Sequence, residues 1–264
     1  MNIRAEVGGQ RAQEQATSLP ALVPEWPVPA RVCALTTTRA LEGASLPPFD
    51  AFNLGAHCGD AADAVATNRA ALAPRFNLPS LPCWLRQVHG TAVVDFETTA
   101  TSEYVSAEAD AAVTHTPGVV LAVLTADCLP VLVCADDGST VAAIHAGWRG
   151  LAAGVIEHAV ERMRAPRGRL IAWLGPAIGP RSYEVGAEVR AAFLAHDAAA
   201  ADAFAPTRPQ HWHCDLYTLA RQRLAALGVA RVRGGGFDTF TDARFYSHRR
   251  DPRTGRFASL IWIN

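Results

Sequence analysis

The sequence predicts an α+β fold built as a single domain, and three observations support this. Strand-like segments occur in pairs that suit β-hairpins, instead of alternating strictly with helical segments. The 264 residues are 50% hydrophobic and 19% charged, which is enough apolar sequence for one large core. No internal repeat and no linker rich in Pro, Gly or Ser divides the chain. We therefore expect one domain over residues 26–264, after a loose N-terminal extension over residues 1–25.

In the first half of the chain, the elements follow from hydrophobic period and turn residues. The β-branched segment RVCALTTTR (31–39) predicts a strand, and GDAADAVATNRAALAPRF (59–76) predicts a helix. Two further strands are predicted at PCWLRQVHG (82–90) and TAVVDF (91–96). A polar loop is then expected to continue to about Asp110.

In the second half, two apolar runs flank ADDGST, and an Asp-Gly pair between such runs is typical of a hairpin turn. Helices are predicted from Leu151 to about Met163, over 185–197 and over 215–227, with Asp215 capping the last of them. The remaining predicted strands are RLIAWLG (169–175), ARVRGGGFDTF (230–240) and FASLIWIN (257–264).

Composition excludes several classes of function. The formal net charge is −1, so no overall field attracts nucleic acid or a membrane surface. All 24 basic residues are arginine, which excludes a Schiff-base lysine and a lysine-bearing phosphate loop. No apolar segment has the length of a signal peptide or a membrane span, so we expect a cytoplasmic protein. The six cysteines show no pairing pattern and are interpreted as free thiols or metal ligands.

The predicted hairpin brings polar residues to one face of a sheet. If Asp136 pairs with Ser139 across the turn, His145 lies opposite Pro130, and Cys128 is two residues further along the same strand. Side chains alternate faces with a period of two, so Cys128 and His145 become diagonal neighbours. A bulge near Pro130 would break this relation.

A third residue, His89, completes a possible ligand set. It ends a predicted strand and precedes Gly90, which allows a sharp turn at a sheet edge. A His–Cys–His set is typical of an open zinc site, in which water or substrate takes the fourth position. The competing interpretation is three half-buried polar side chains satisfied by the backbone, and the pattern alone leaves both open.

Other polar segments have two interpretations as well. Arg149 precedes a helix, where a cation and free N–H groups can hold an anion, but it can equally be a surface arginine covering Trp148. His57, Cys58 and the segment HWHC (211–214) are interpreted as structural.

Seven motifs occur in order from Phe52 to the C-terminus: FNLGAHCGD, NR (68–69), RQVHG, TADCLPVL, AIHAGWRG, GPAIGP with YEVG, and FYSHRRDPRTGRFASLIWI. Together they resemble the laccase-domain family, once called multicopper polyphenol oxidases and since recognised as purine nucleoside phosphorylases with adenosine deaminase activity. The resemblance implies a layered α/β/β/α fold with mixed sheets. It also implies a catalytic Zn²⁺ held by His89, Cys128 and His145, with purine nucleosides and phosphate as substrates.

The resemblance suggests roles for four further residues. Asp127 is a candidate proton shuttle for deamination, or alternatively an acceptor that orients His89 or His145. Arg149 is a candidate for stabilising phosphate during phosphorolysis. Asn53 and Arg69, in segments that match the family, are candidates for binding ribose, phosphate or base.

Three alternatives remain at this point. A copper-dependent polyphenol oxidase could use the same ligands, with copper as the occupant, although multicopper enzymes need many more histidines than the nine present. A Cys/His amide hydrolase would use Cys128 as nucleophile and His145 as base. A non-catalytic editing factor in cell-wall precursor metabolism is the third. No sequence feature indicates an oligomeric state.

Overall fold

The computed structural model describes residues 21–99 and 107–264 of the chain. Its strands are β1 Ala21–Leu22, β2 Val32–Thr37, β3 Pro82–Cys83, β4 Leu85–Arg86, β5 Val93–Asp95, β6 Ala107–Glu108, β7 Ala111–Thr114, β8 Val120–Thr125, β9 Leu129–Ala135, β10 Val141–Ala146, β11 Leu170–Leu174, β12 Glu184–Gly186, β13 Phe204–Pro206, β14 His211–Cys214, β15 Arg231–Gly234 and β16 Phe257–Ile263. Its helices are α1 Ala62–Phe76, α2 Trp148–Ala153, α3 Val155–Arg162, α4 Ala187–Leu194 and α5 Leu216–Ala226, with 3₁₀ turns at Arg167–Arg169 and Ala198–Ala203.

Two mixed sheets form the centre of the fold. One has five strands in the order β1-β2-β16-β8-β3, and the other has six in the order β15-β11-β9-β10-β7-β5. Most neighbours are antiparallel, but β3 with β8, β11 with β15, and β5 with β7 are parallel. Two smaller sheets, β12-β14-β13 and β4-β6, lie outside these. The α+β class is therefore confirmed.

The two large sheets pack face to face, and helices cover their outer faces. Leu121 of β8 and Leu132 of β9 belong to one buried cluster between the sheets. Leu72 of α1 packs with β8 and β16 on the outer side of the five-stranded sheet. Ile156 of α3 and Leu219 of α5 pack on the outer side of the six-stranded sheet. This is the layered helix–sheet–sheet–helix order that the family resemblance implies.

The central hairpin has the predicted register. Strands β9 and β10 pair antiparallel, with Val141 opposite Cys134 and His145 opposite Pro130. Both strands are buried along their whole length. The Asp-Gly turn and the two-residue period therefore place His145 at the open end of the hairpin, next to the segment that carries Cys128.

Several predicted boundaries differ from the structure. The predicted helix from Leu151 to Met163 is divided at Gly154, whose φ of 98° ends α2 and begins α3. Glycine accepts a positive φ without steric penalty, which explains why the helix is divided at this residue.

The predicted polar loop before Asp110 contains β6, and β7 follows at once.

The N-terminal extension is a further difference. Residues 1–20 of the predicted extension lie outside the described residues, but Ala21–Leu22 pair with β2 as an edge strand. The HWHC segment forms β14, the middle strand of the small sheet.

Candidate active site

Three side chains from separate elements meet at the open end of the β9–β10 hairpin, in the middle of the six-stranded sheet. His89 follows β4, Cys128 precedes β9, and His145 lies on β10. Their ligand atoms are all within 4.8 Å of one another, and the Cys128 Sγ lies 3.7 Å from His89 Nε2. His145 is 3% exposed, whereas His89 is open to solvent. The set therefore has a buried side and an accessible side.

The backbone around these residues is shaped for the close approach. His89 has a φ of 62°, which turns the chain at the end of β4. A Cβ on Gly147 would come within 2.8 Å of His89 Cδ2 and 3.1 Å of Cys128 Sγ. Only glycine lets α2 begin this close to the His89 and Cys128 side chains. Steric contact therefore explains why glycine occupies position 147 of the motif AIHAGWRG.

A buried carboxylate, Asp110, holds the His145 ring and the backbone turn that carries His89. Its Oδ1 lies 2.8 Å from Nδ1 of His145, and its oxygens also accept hydrogen bonds from the backbone N–H of Val88, His89 and Gly90 at 3.2, 2.9 and 2.6 Å. Because His145 Nδ1–H donates to Asp110, Nε2 is the ring nitrogen that remains for the other two side chains, or for a metal, which would bind the ring without its Nε2 proton. The same acid therefore fixes the His145 ring and the turn that carries His89.

The electrostatics of the group favour a thiolate. Burial opposes ionisation of the Cys128 thiol, but the charge and hydrogen bond of His145 and the hydrogen bond of His89 outweigh it and lower the pKa of Cys128 to about 6. For Asp110, burial is likewise outweighed by His145 and by the N–H groups of Gly90 and His89, which keep its pKa below the usual value. Cysteine binds metal as the thiolate.

The donor set fits a zinc ion. Two imidazole nitrogens and one thiolate are ligands that zinc prefers, and tetrahedral geometry with the usual bond lengths separates such atoms by roughly 3.5 Å. The 3.7 Å between Cys128 Sγ and His89 Nε2 agrees with that separation. If these three side chains bind a metal, a fourth coordination position would remain on the exposed side. Among the described residues, no other group of three His, Cys, Asp or Glu side chains converges in this way.

We expect replacement of Asp110 by alanine to weaken metal binding by about 10- to 100-fold, because the acceptor that orients a ligand histidine is lost. The measurement is metal affinity in competition with a chelator of known strength. Asp95→Asn on β5, whose carboxylate pairs with Arg162 at the surface, is the matched control. Equal metal affinity in Asp110→Ala and wild type would contradict this role.

A cavity of about 300 Å³ opens beside the three ligands. Its lining residues come from β8, from the ligand group and from two loops; they are His57, Gln87, His89, Leu124, Thr125, Ala126, Cys128, His145, His248 and Arg256. The side-chain amide of Gln87 pairs with both the N–H and the C=O of Leu124, which joins the end of β4 to β8. The volume is at the lower end of the range for small-molecule sites.

Asp127 belongs neither to the cavity lining nor to the His–Cys–His set. It has a φ of 89° and is 9% exposed. Its Oδ1 accepts a hydrogen bond from the Thr239 hydroxyl at 2.7 Å, and its Oδ2 accepts one from the Arg249 N–H at 2.6 Å. Neither His89 nor His145 is among these partners, and Asp127 does not line the cavity.

Arg149 also lies away from the cavity. Its side chain is exposed, and the guanidinium carbon is 4.4 Å from the centre of the Trp148 ring. This placement matches the surface interpretation of Arg149, in which the side chain covers Trp148.

Asn53 and Arg69 lie behind the cavity wall. Asn53 is fully buried and bonds to Asp60 and to the backbone of residues 55 and 256. Arg69 stacks on Trp84, with its guanidinium carbon 4.3 Å from the ring centre, and donates to the Leu54 carbonyl. Both therefore support the loop that begins at residue 53.

Sequence patterns missed four polar residues of the site: Asp110, His57, His248 and Arg256. Of these, Asp110 had an available indication, because a ligand histidine normally needs a carboxylate or carbonyl partner. His57 and His248 lie on loops, where no periodicity indicates direction. Burial, followed by the charges of Arg256 and Arg69, lowers the pKa of His57 below its usual value.

The two stacked sheets, the flanking helices and one converging His–Cys–His set define a mixed α/β protein with a candidate metal site. The chain belongs to the family described as multi-copper polyphenol oxidoreductase laccase, whose model matches residues 33–264. None of the described helices has the length and apolar character needed to cross a membrane.

Relatives with assigned names cover nearly the whole chain. A protein of Shigella flexneri named purine nucleoside phosphorylase YfiH is 53% identical over 244 residues, which is 92% of this chain and 98% of the relative. A purine nucleoside phosphorylase of Xylella fastidiosa strain Temecula1 is 53% identical over 250 residues, covering 92% and 96%. The crystal structure of the Neisseria meningitidis protein NMB0706 matches with a TM-score of 0.88 at 43% identity, covering 93% of this chain and 100% of that one.

Proposed function

We propose that this protein is a zinc-dependent purine nucleoside phosphorylase that converts adenosine, inosine or methylthioadenosine and phosphate to the base and ribose 1-phosphate. The observation that carries the proposal is one cavity that combines the His–Cys–His set with Arg256 and two further histidines. The names of the relatives agree with it. In the reaction, a phosphate oxygen bonds to C1′ while the C1′–N9 bond breaks, and the purine takes the electron pair and a proton.

Zinc fits this chemistry better than copper does. A bound zinc ion supplies Lewis-acid chemistry without redox change. A multicopper oxidase needs a second cluster of ligands, and the described residues contain one converging group. A single copper in the same position would compete with zinc, so metal analysis of the purified protein distinguishes the two.

We expect release of base from inosine to require phosphate. The protein should form ribose 1-phosphate in phosphate buffer and should show little base release in a buffer without phosphate or arsenate, because phosphate is the nucleophile of the proposed reaction. The measurement is chromatography of base and sugar product over time. Equal base release without phosphate would mean hydrolysis and would contradict the assignment, whereas no release in either buffer would remove the enzyme assignment.

We also propose adenosine deamination in the same cavity, and the environment of His57 supports it. Burial lowers the pKa of His57, which favours the neutral imidazole that can accept a proton, whereas both oxygens of the Asp127 carboxylate already accept hydrogen bonds. Conversion of adenosine to inosine, measured in phosphate-free buffer, separates this activity from phosphorolysis. Adenosine that stays unchanged with zinc-loaded protein would contradict it.

A further inference from the structure

The cavity beside the metal ligands has a charge pattern suited to an anion. Arg256, His57 and His248 line it, and none of its ten lining residues is Asp or Glu. A negatively charged group that enters would therefore meet a cation and N–H donors without a carboxylate on the wall, and the one anionic lining group, the Cys128 thiolate, belongs to the metal-binding set.

The Arg256 side chain is held in place along one edge. Its Nη1 donates to the carbonyls of Thr254 and Gly255 at 3.0 and 2.9 Å. Among the contacts of the described residues, Nε and Nη2 of this side chain have no hydrogen-bond partner. A guanidinium fixed in this way loses little conformational entropy when it binds an oxyanion with two parallel hydrogen bonds.

The loops that carry His57 and Arg256 are joined by a buried amide. Oδ1 of Asn53 accepts the N–H of Gly55 at 2.9 Å and the N–H of Arg256 at 2.8 Å. A Cβ on Gly55 would lie 2.8 Å from Arg256 Cγ, so the two segments are in direct contact. Asn53, which is 203 residues from Arg256 in the chain, thus joins the two loops into one wall.

We propose that this wall is the phosphate subsite, in which Arg256 binds two phosphate oxygens and the N–H groups of His57 and His248 contact the others. The proposal rests on the phosphorylase function above and assigns it a residue. Phosphate held here leaves the side of the cavity near His89 and Cys128 for the nucleoside. Arg149, exposed on Trp148, is outside this arrangement.

The test is binding of inorganic phosphate to metal-loaded protein by calorimetry, followed by steady-state kinetics. Arg256→Ala should weaken phosphate binding and raise the KM for phosphate by about 10- to 100-fold, since a charge-assisted pair is lost. The KM for inosine should change much less. Arg256→Lys keeps the charge without the planar fork and should lie between the two. Arg253→Ala is the matched control, because this exposed arginine of the same loop packs on Phe49 and does not line the cavity.

Each outcome decides the proposal. Wild-type phosphate affinity in Arg256→Ala overturns it, as does an Arg256-dependent affinity for adenosine 5′-monophosphate without affinity for free phosphate. Arg256-dependent phosphate binding in a protein that turns over no nucleoside supports the subsite and contradicts the phosphorylase function. If Arg256→Ala does not fold, Arg256→Lys decides: weaker phosphate binding than wild type supports the subsite, and equal binding overturns it.

Discussion

Replacement of Cys128 by alanine should remove the bound metal and reduce nucleoside turnover by about 1,000-fold or more. Two histidines on separate elements cannot hold the ion in the open tetrahedral geometry that three ligands provide. A metal that polarises a reacting oxygen contributes several kcal/mol to the barrier, and each 1.4 kcal/mol is a factor of ten in rate. The measurements are metal content by elemental analysis and phosphorolysis of inosine.

The matched control for this prediction is Cys33→Ala. Cys33 is a half-buried free thiol on β2 whose Sγ accepts a hydrogen bond from Asn264, away from the cavity. Wild-type protein treated with a chelator should behave like Cys128→Ala and recover when zinc is restored. Full metal content in Cys128→Ala would contradict the ligand role. Turnover of an amide substrate that survives chelation but not Cys128→Ala would instead support the Cys/His hydrolase.

The part of the site on the central hairpin could be predicted from the sequence. The Asp-Gly turn fixes the register of β9 and β10, and the two-residue period then places His145 opposite Pro130, as the structure confirms. Cys128 lies one residue before β9, so its distance from His145 depends on backbone geometry that the period does not give. The positive φ of Asp127 supplies that geometry.

Asp110, which orients His145, could not be assigned to the site from local sequence patterns. Asp110 lies at the start of β7, which pairs with β10 so that Ile144 is opposite Ala111, and the same register continues to His145. The polar loop was predicted to end near Asp110, and no strand was predicted over AAVT (111–114), so the register of this segment against β10 could not be used. A four-residue strand carries too little periodicity to distinguish it from a loop.

The cavity wall could not be predicted because its residues are distant in the chain. Asn53 and Arg256 meet through a hydrogen bond that joins positions 203 residues apart. Asn53 was predicted to bind substrate, and the structure places it one layer behind the surface that a substrate would touch. A buried asparagine with two backbone partners and a substrate-binding asparagine have the same appearance in a sequence.

Asp127 should act mainly by positioning the loop that carries His248. Its two oxygens accept from the Thr239 hydroxyl and the Arg249 N–H, and Thr239 is fully buried. Replacement by alanine leaves both donors without a partner, so we expect a loss of about 2–4 kcal/mol in the free energy of unfolding. His248 is adjacent to Arg249 and lines the cavity, so phosphorolysis and deamination should fall together while metal stays bound.

Two further variants separate positioning from proton transfer. Asp127→Asn tolerates the positive φ and keeps one acceptor oxygen, so it should lose less stability than alanine. Asp127→Gly relieves the backbone at a φ of 89° but restores no acceptor, so it should be slower than wild type in both reactions. A proton shuttle would behave differently, because Asp127→Asn would then lose deamination by orders of magnitude and keep phosphorolysis. That selective loss, measured with adenosine and inosine on the same metal-loaded protein, would contradict the positioning role, since a displaced His248 loop affects every reaction in the cavity.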